Sequence, residues 1–238
     1  MKTTLLKTAV LLPLLTVTSL ALTPVNDNFN SKTVNNVRWN LENFGAAKLA
    51  PGKKKLNFTV PKPSGDDYSI LELKNNLPGY NESWEINLDV ANLVKNGKAG
   101  AGIIISNADD SEDSLEIAFT GKGKRGGFTL IGITDGKDNP QKDLKANPQI
   151  SSGTLRVSFD KLTKLLSVSY DKNGAKNGFK WTAVGSFSPA GKGGDRRGNW
   201  NMNPGGGRFG IILFGYSDGK PVKAGQASID NFKLKAVR

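Results

Sequence analysis

The sequence predicts an all-β fold, a two-sheet antiparallel jelly-roll β-sandwich. Three observations lead there. The first is Gly153 to Gly174, GTLRVSFDKLTKLLSVSYDKNG, where Leu155, Val157 and Phe159 alternate with Arg156, Ser158 and Asp160. Leu166, Val168 and Tyr170 likewise alternate with Leu165, Ser167 and Ser169. Side chains alternate faces along a strand, so each run has one dry face and one mostly wet face. Lys161 to Lys164 is short enough to close an antiparallel hairpin, and Asp171-Lys-Asn-Gly174 signals a turn after it. The second observation is that about a dozen such runs follow one another between turns, the pattern of a sandwich. The third is composition: 28 glycines and no long stretch with a clean helical period. Ala91 to Lys95 reads as at most a single helical turn. A sheet with one wet face needs a second layer on its dry face.

Taken in order, Met1 to Ala21 reads as a secretory leader. Lys2 and Lys7 precede a short apolar core broken by Pro13, and Ser19-Leu20-Ala21 places small residues where a signal peptidase reads them. Residues 22–238 are then expected to form one domain, secreted or periplasmic, with no membrane span after cleavage. Val25 to Asn30 reads as the first strand, with Trp39 closing a short loop. Leu56 to Val60, Tyr68 to Lys74 and Trp84 to Val90 follow as strands. Ala99 to Ser106, AGAGIIIS, reads as a central strand covered on both faces. Leu115 to Thr120 and Phe128 to Thr134 flank the basic glycine loop Gly121 to Gly127, and a polar loop runs from Asp135 to Ile150. After the hairpin come Gly178 to Phe187 as an edge, Ser188 to Gly207 as the longest irregular stretch, and strands at Arg208 to Ser217 and Gln226 to Ala236.

Composition excludes several chemistries. With no cysteine there are no disulfides and no thiolate nucleophile, and with no histidine there is no imidazole base and no His-ligated metal. The chain carries a formal charge of +12. Loss of Lys2 and Lys7 with the leader would leave 31 basic residues against 21 acidic ones, or +10. That charge favours acidic partners such as anionic polysaccharide. Nucleic acid is the weaker partner, because aromatic residues are sparse among the basic clusters and no nucleic-acid motif is present.

One group of residues reads as a binding constellation. Trp200 lies in a Gly-Asn-Trp-Asn-Met-Asn-Pro loop with Arg196, Arg197 and Asn199 nearby. An aromatic face suits sugar C–H groups, and Arg and Asn suit hydroxyls and anions. Trp39, Trp84 and Trp181 read as core or cover. Asn107, Asp109, Asp110, Glu112 and Asp113 form an oxygen-rich turn suited to calcium.

The order of segments resembles the concanavalin A-like lectin/glucanase superfamily. The residues that carry the resemblance are VNDNFNS followed by Trp39, WEINLDV before GAGIIIS, TLRVSFDKLTKLLSVSYDKNG followed by Lys180-Trp181, and GRFGIILFGYS before ASIDNFKL. The resemblance implies a jelly roll of two antiparallel sheets, one concave, in a family that often binds glycans and sometimes cleaves them. It also implies a structural calcium near the termini, with Asp230-Asn231 facing Asp27-Asn28. The laminarinase-type Glu-x-Asp-x-x-Glu strand is matched by Asp113 and Glu116, but Ser111 stands at its first position. The alginate-lyase type needs a Gln-x-His motif that this sequence lacks. Glu85 and Asp89 share a strand face but stand about 13 Å apart, too far to act as a catalytic pair. The expectation is a non-catalytic, monomeric, lectin-like protein binding an extracellular or cell-wall polysaccharide. The alternatives are a glycan-cleaving enzyme of the same fold and a structural or adhesive surface protein.

Overall fold

The computed structural model describes residues 22–95, 97–121, 127–139 and 150–237. The leader, most of the basic glycine loop and residues 140–149 lie outside them. The strands in chain order are β1 (Val25–Asp27), β2 (Trp39–Phe44), β3 (Lys48–Gly52), β4 (Lys55–Val60), β5 (Asp66–Leu73), β6 (Trp84–Asn92), β7 (Ala99–Asn107) and β8 (Asp110–Gly121). They continue as β9 (Gly127–Thr134), β10 (Lys137–Asn139), β11 (Ser152–Asp160), β12 (Leu165–Asp171), β13 (Thr182–Ser188), β14 (Arg196–Arg197), β15 (Phe209–Asp218) and β16 (Val222–Ala236). A single 3-10 turn, Gly174–Asn177, follows β12.

Two sheets result. The nine-stranded one runs β14-β13-β12-β11-β6-β16-β4-β3, with β1 added to β16. The seven-stranded one runs β10-β9-β8-β7-β15-β5-β2. All strand pairs are antiparallel except β13 with β14. The sandwich is therefore the architecture that the alternation pattern predicts. Strand β16 is long enough to take two partners on one side. It pairs with β4 through Ala227 to Ile229 and with β1 through Phe232 to Leu234. The change falls at a bulge between Asp230 and Lys233, where Asn231 adopts a left-handed backbone (φ 50°).

The hairpin β11–β12 forms as the alternation dictates, with Leu155 opposite Tyr170 and Val157 opposite Val168. Asp160 shapes its turn: its Oδ1 accepts the Leu162 N–H at 2.7 Å and the Thr163 N–H at 3.0 Å. These two N–H groups, Thr163 first, hold the Asp160 carboxyl below its usual range. Strand β7 is central, between β8 and β15, and buried on both faces as its composition predicts. Three boundaries differ from expectation. The first strand ends at Asp27, because Phe29 is left-handed (φ 48°) and turns the chain into the core. Trp39 begins a strand rather than closing a loop. Ala91 and Asn92 extend β6 instead of forming a helical turn, because they pair with Ser228 and Ala227.

The core lies between the sheets, and an aromatic cluster occupies one end of it. Phe209 of β15 meets Phe159 of β11 at 4.8 Å and Trp84 of β6 edge-on at 5.2 Å between ring centroids. Tyr80 stacks on Phe159 at 5.5 Å. Phe159 is fully enclosed by this cluster. Phe159→Ala should therefore cost about 3–5 kcal/mol in urea unfolding, the range for deleting a buried ring. The β3–β4 hairpin makes the opposite prediction. Lys53 and Lys54 both have positive φ, 53° and 61°, a conformation that Asn-Gly adopts with little strain. Replacing Lys53-Lys54 by Asn-Gly should raise stability by about 1 kcal/mol, read as a higher urea midpoint at unchanged slope.

Candidate functional site

The structure takes the predicted binding constellation apart. Trp200 is fully buried. Its ring packs on Phe187 at 4.9 Å and Phe209 at 6.5 Å, and its Nε1–H donates to the Ile133 carbonyl at 3.0 Å. Asn107 Nδ2 donates to the Trp200 carbonyl, and the Trp200 N–H donates to Pro189. Trp200 thus anchors the long loop to the aromatic cluster and has no face left for a ligand. Arg196 is also buried, on the short strand beside β13, and donates to the Leu130 carbonyl. Arg197 and Asn199 are exposed but stand on the outside of a loop whose aromatic ring points inward.

The predicted metal ligands do not converge. Asp113 turns inward and is buried, its Oδ1 accepting the Asp135 N–H at 3.1 Å. Burial pushes its carboxyl up, and the charges of Asp110 and Asp135 add to this, against the Asp135 N–H. Asp109 and Asp110 are exposed, and Asp110 Oδ1 accepts the Glu112 N–H at 3.0 Å. Asp230 faces Asp89 across β16 and β6, and burial, then the Asp89 charge, raises its carboxyl. Asp27, its expected companion, is occupied: Oδ1 accepts the Phe29 N–H at 2.9 Å, and Oδ2 accepts Trp39 Nε1–H at 2.9 Å and Arg38 at 3.3 Å. Among the described residues no group of three carboxylates is gathered to hold a metal ion. The partial glucanase motif is likewise dispersed. On β8, Leu115 and Ile117 point into the core and Glu116 away from it, while Asp113 is turned inward. Asp113 and Glu116 therefore stand on opposite faces and form no catalytic pair.

The outer face of the seven-stranded sheet is the stronger candidate. A sheet face turned to water normally carries polar side chains. Here the register sets Phe44, Tyr68, Tyr216 and Gly100 side by side on β2, β5, β15 and β7. The next row holds Ile70, Phe214 and Gly102, and the one after it Ile212, Ile104 and Glu116. Phe44 stacks on Tyr68 at 4.2 Å. Tyr216 lies flat against β7, where any side chain at Gly100 would collide with its ring. Phe214 runs parallel to Tyr216, 10° from coplanar and 6.3 Å away. A recess of about 100 Å³ opens between Tyr68 and Tyr216, rimmed by Asp66 and Asp218. Tyr68 is 41% exposed. Burial, then the charges of Glu116 and Asp218, pushes the Tyr216 phenol up to about 12, so it remains a hydroxyl donor across the neutral range.

Beneath this row sits Asp67, which fixes the turn before β5. Its carboxylate accepts the Ala46 N–H at 2.7 Å, the Ser64 Oγ–H at 2.7 Å and the Ser64 N–H at 2.8 Å. The Ala46 N–H, then Ser64, holds its carboxyl below the usual carboxylate range. The outer face of the nine-stranded sheet is different in kind. It is polar, with Glu85, Asn87, Arg156, Ser158 and Ser169 on β6, β11 and β12. Over it lie Trp181 and Phe179, stacked on each other at 4.7 Å.

No protein-family model matches the chain, and no curated protein matches it. Solved structures match it in fold. Bacteroides ovatus Xyloglucan PUL GH43B superposes with a TM-score of 0.59 at 13% identity over 90% of this chain, which spans 40% of that protein's length. Arcelin-5, a lectin-like defense protein from Phaseolus vulgaris, gives 0.54 at 10% identity over 90% of this chain and 98% of its own. Lectin II from Ulex europaeus gives 0.52 at 10% identity over 92% of this chain and all of its own, 100%. The fold is therefore a concanavalin A-like jelly roll, the class that the strand order resembles.

Two expectations follow from this geometry. Trp200→Ala should destabilise the protein by about 3–5 kcal/mol, whereas Asn199→Ala should stay within about 0.5 kcal/mol in the same urea titration. Asp67 has a depressed carboxyl pKa, so its stabilisation is present above pH 3.8 and is lost as pH falls through its lower folded value. Asp67→Asn should therefore lower the melting temperature at neutral pH and show a smaller further drop on acidification than the parent protein.

Proposed function

We propose that this is a secreted, non-catalytic, lectin-like protein whose outer seven-stranded face binds an extended polysaccharide. The observation that carries the reading is the row Phe44–Tyr68–Tyr216. Three rings on adjacent strands, about 4.8 Å apart from strand to strand, form an aromatic row about 10 Å long, the scale of a disaccharide, with Phe44 and Tyr68 standing face to face and Tyr216 lying flat on β7. The flat Tyr216 ring and the edges of the stacked Phe44–Tyr68 pair can bury the C–H face of a sugar, and the Tyr68 and Tyr216 hydroxyls, Asp66 and Asp218 offer hydrogen bonds at the rim. The half-buried Ile70 and Ile212 on the same face, around the buried Phe214, add an apolar margin from which a ligand can shed water. The rim carboxylates make a neutral glycan its best ligand.

The fold neighbours support a carbohydrate ligand, since two of the matching structures are named as a lectin and a lectin-like protein. Secretion is supported by the leader pattern of Met1 to Ala21, and a matching domain is described as exoplasmic or lumenal. No described helix is long and apolar enough to cross a membrane.

Native affinity electrophoresis through gels containing a neutral β-glucan tests the reading. The protein should be retarded, and Tyr216→Ala should weaken retardation about tenfold, the effect of losing a stacking contact of roughly 1.4 kcal/mol. Because the Tyr216 phenol stays protonated, its contribution to retardation should not change between pH 7 and pH 9. Equal retardation of the parent and of both Tyr68→Ala and Tyr216→Ala would reject the platform.

A further inference from the structure

We infer a second, separate glycan site on the opposite face of the sandwich, built on Arg156 and specific for carboxylate-bearing sugars. It deepens the carbohydrate reading above but uses none of the same residues. Arg156 projects from β11 away from the core, since Leu155 and Val157 on either side of it are buried. Its guanidinium is held at two points. Nε–H donates to Ser169 Oγ at 3.0 Å, and its plane lies over the Trp181 ring at 4.4 Å. Phe179, 46% exposed, stacks on the Trp181 ring and extends the aromatic wall outward.

At its terminal nitrogens the guanidinium makes a loose ion pair with Glu85 and no hydrogen bond. Among the described residues only Nε–H has a hydrogen-bond acceptor. The nearest carboxylate, Glu85 Oε2, is 4.0 Å from NH1, beyond hydrogen-bond reach. Glu85 is engaged elsewhere, accepting Asn87 Nδ2–H at 2.7 Å and facing Lys235 Nζ at 3.5 Å. A guanidinium fixed in orientation, whose terminal N–H groups have no hydrogen-bond acceptor among the described residues and only a 4.0 Å ion pair with Glu85, is pre-set for bidentate pairing with a planar anion that displaces that loose contact.

The surroundings select a saccharide carboxylate. Beside Arg156 the face carries short hydroxyl side chains, Ser158 on the same strand and Ser167 across from it. Ser158 is two residues from Arg156, about 7 Å along the strand, which is the span of one sugar ring. A uronate would set its carboxylate on Arg156 and its hydroxyls on Ser158 and Ser167, against the Trp181–Phe179 wall. Lys235 and Lys233 add positive charge on the far side. The wall is held in place by Asp171, whose carboxylate accepts the Lys180 N–H and, at 2.7 Å, the Asn173 N–H. A protein with a neutral-glycan platform on one sheet and a uronate site on the other would cross-link the two kinds of chain.

The test uses the full-length protein in affinity gels with polygalacturonate, a neutral β-glucan or double-stranded DNA, at low and raised salt. Retardation by polygalacturonate should persist at raised salt and fall roughly tenfold or more in Arg156→Gln, as expected for a lost charged hydrogen-bond pair. Arg156→Lys should lose most of it too, because the ammonium keeps the charge but not the fork. Trp181→Leu should show a parallel loss, and melting temperatures report whether each variant is folded. Arg156→Gln should leave β-glucan retardation unchanged, and Tyr216→Ala should leave polygalacturonate retardation unchanged. The inference is overturned if Arg156→Gln or Arg156→Lys binds polygalacturonate like the parent. It is also overturned if DNA retards the parent equally at raised salt, or if either variant abolishes both glycans together. Loss of β-glucan binding alone from the parent would reject the aromatic platform and leave the uronate site standing.

Discussion

The contact of Phe209 with Phe159 and Trp84 holds the two sheets together at one end, and the rest of the structure is arranged around it. Phe209 begins β15, the strand that later carries Phe214 and Tyr216 on its other face. Phe159 ends β11, the strand that carries Arg156 on its other face. Because side chains alternate, burying Phe209, Ile211 and Leu213 sends Phe214 and Tyr216 outward, and burying Leu155, Val157 and Phe159 sends Arg156 outward. A one-residue slip in either strand would exchange core for surface and destroy both faces at once. Trp200 and Phe187 extend the same cluster and tie the long loop to it.

The two outer faces differ because their neighbours differ. On the seven-stranded sheet, Gly100 and Gly102 sit next to the aromatic positions of β15. Without side chains there, Tyr216 lies flat on the neighbouring strand rather than standing away from it. On the nine-stranded sheet, serines flank Arg156 and the connection to β13 folds its aromatic pair over the guanidinium. One face is shaped by glycine next to ring, the other by serine next to cation. This is why the ligand proposed for the first is the C–H face of a sugar and for the second its carboxylate.

Much of the fold was legible in the sequence because period-two alternation survives in β4, β6, β11 and β12. The dry face of each was readable one residue at a time. Arg156 was placed on the wet face by that rule alone. Its pairing with Trp181 was not legible, since it depends on a connection that doubles back over β12. Tyr216 was not legible because β15 is apolar on both faces, so alternation carries no signal there; Tyr68 stands on the wet face of β5, and its alignment with Phe44 and Tyr216 depends on strand register. The reading of Trp200 failed for a different reason. Its neighbours are Gly, Asn and Pro, which mark a loop, but a loop of this length that packs against a core needs a buried anchor. The acidic residues at Asp109, Asp110 and Asp113 looked like ligands because they are close in sequence. The turn between β7 and β8 sends Asp113 inward and leaves the other two outside.

The central claim is that the binding surface is the sheet face bearing Tyr68 and Tyr216 and not the loop bearing Trp200. Titrating isotope-labelled protein with a neutral β-glucan oligosaccharide and following amide chemical shifts tests it most directly. Shifts should concentrate at Phe44, Tyr68, Gly100 and Tyr216, with residues 188–207 unmoved. Shifts concentrated at Arg197, Asn199 and their loop, with the aromatic row silent, would contradict it.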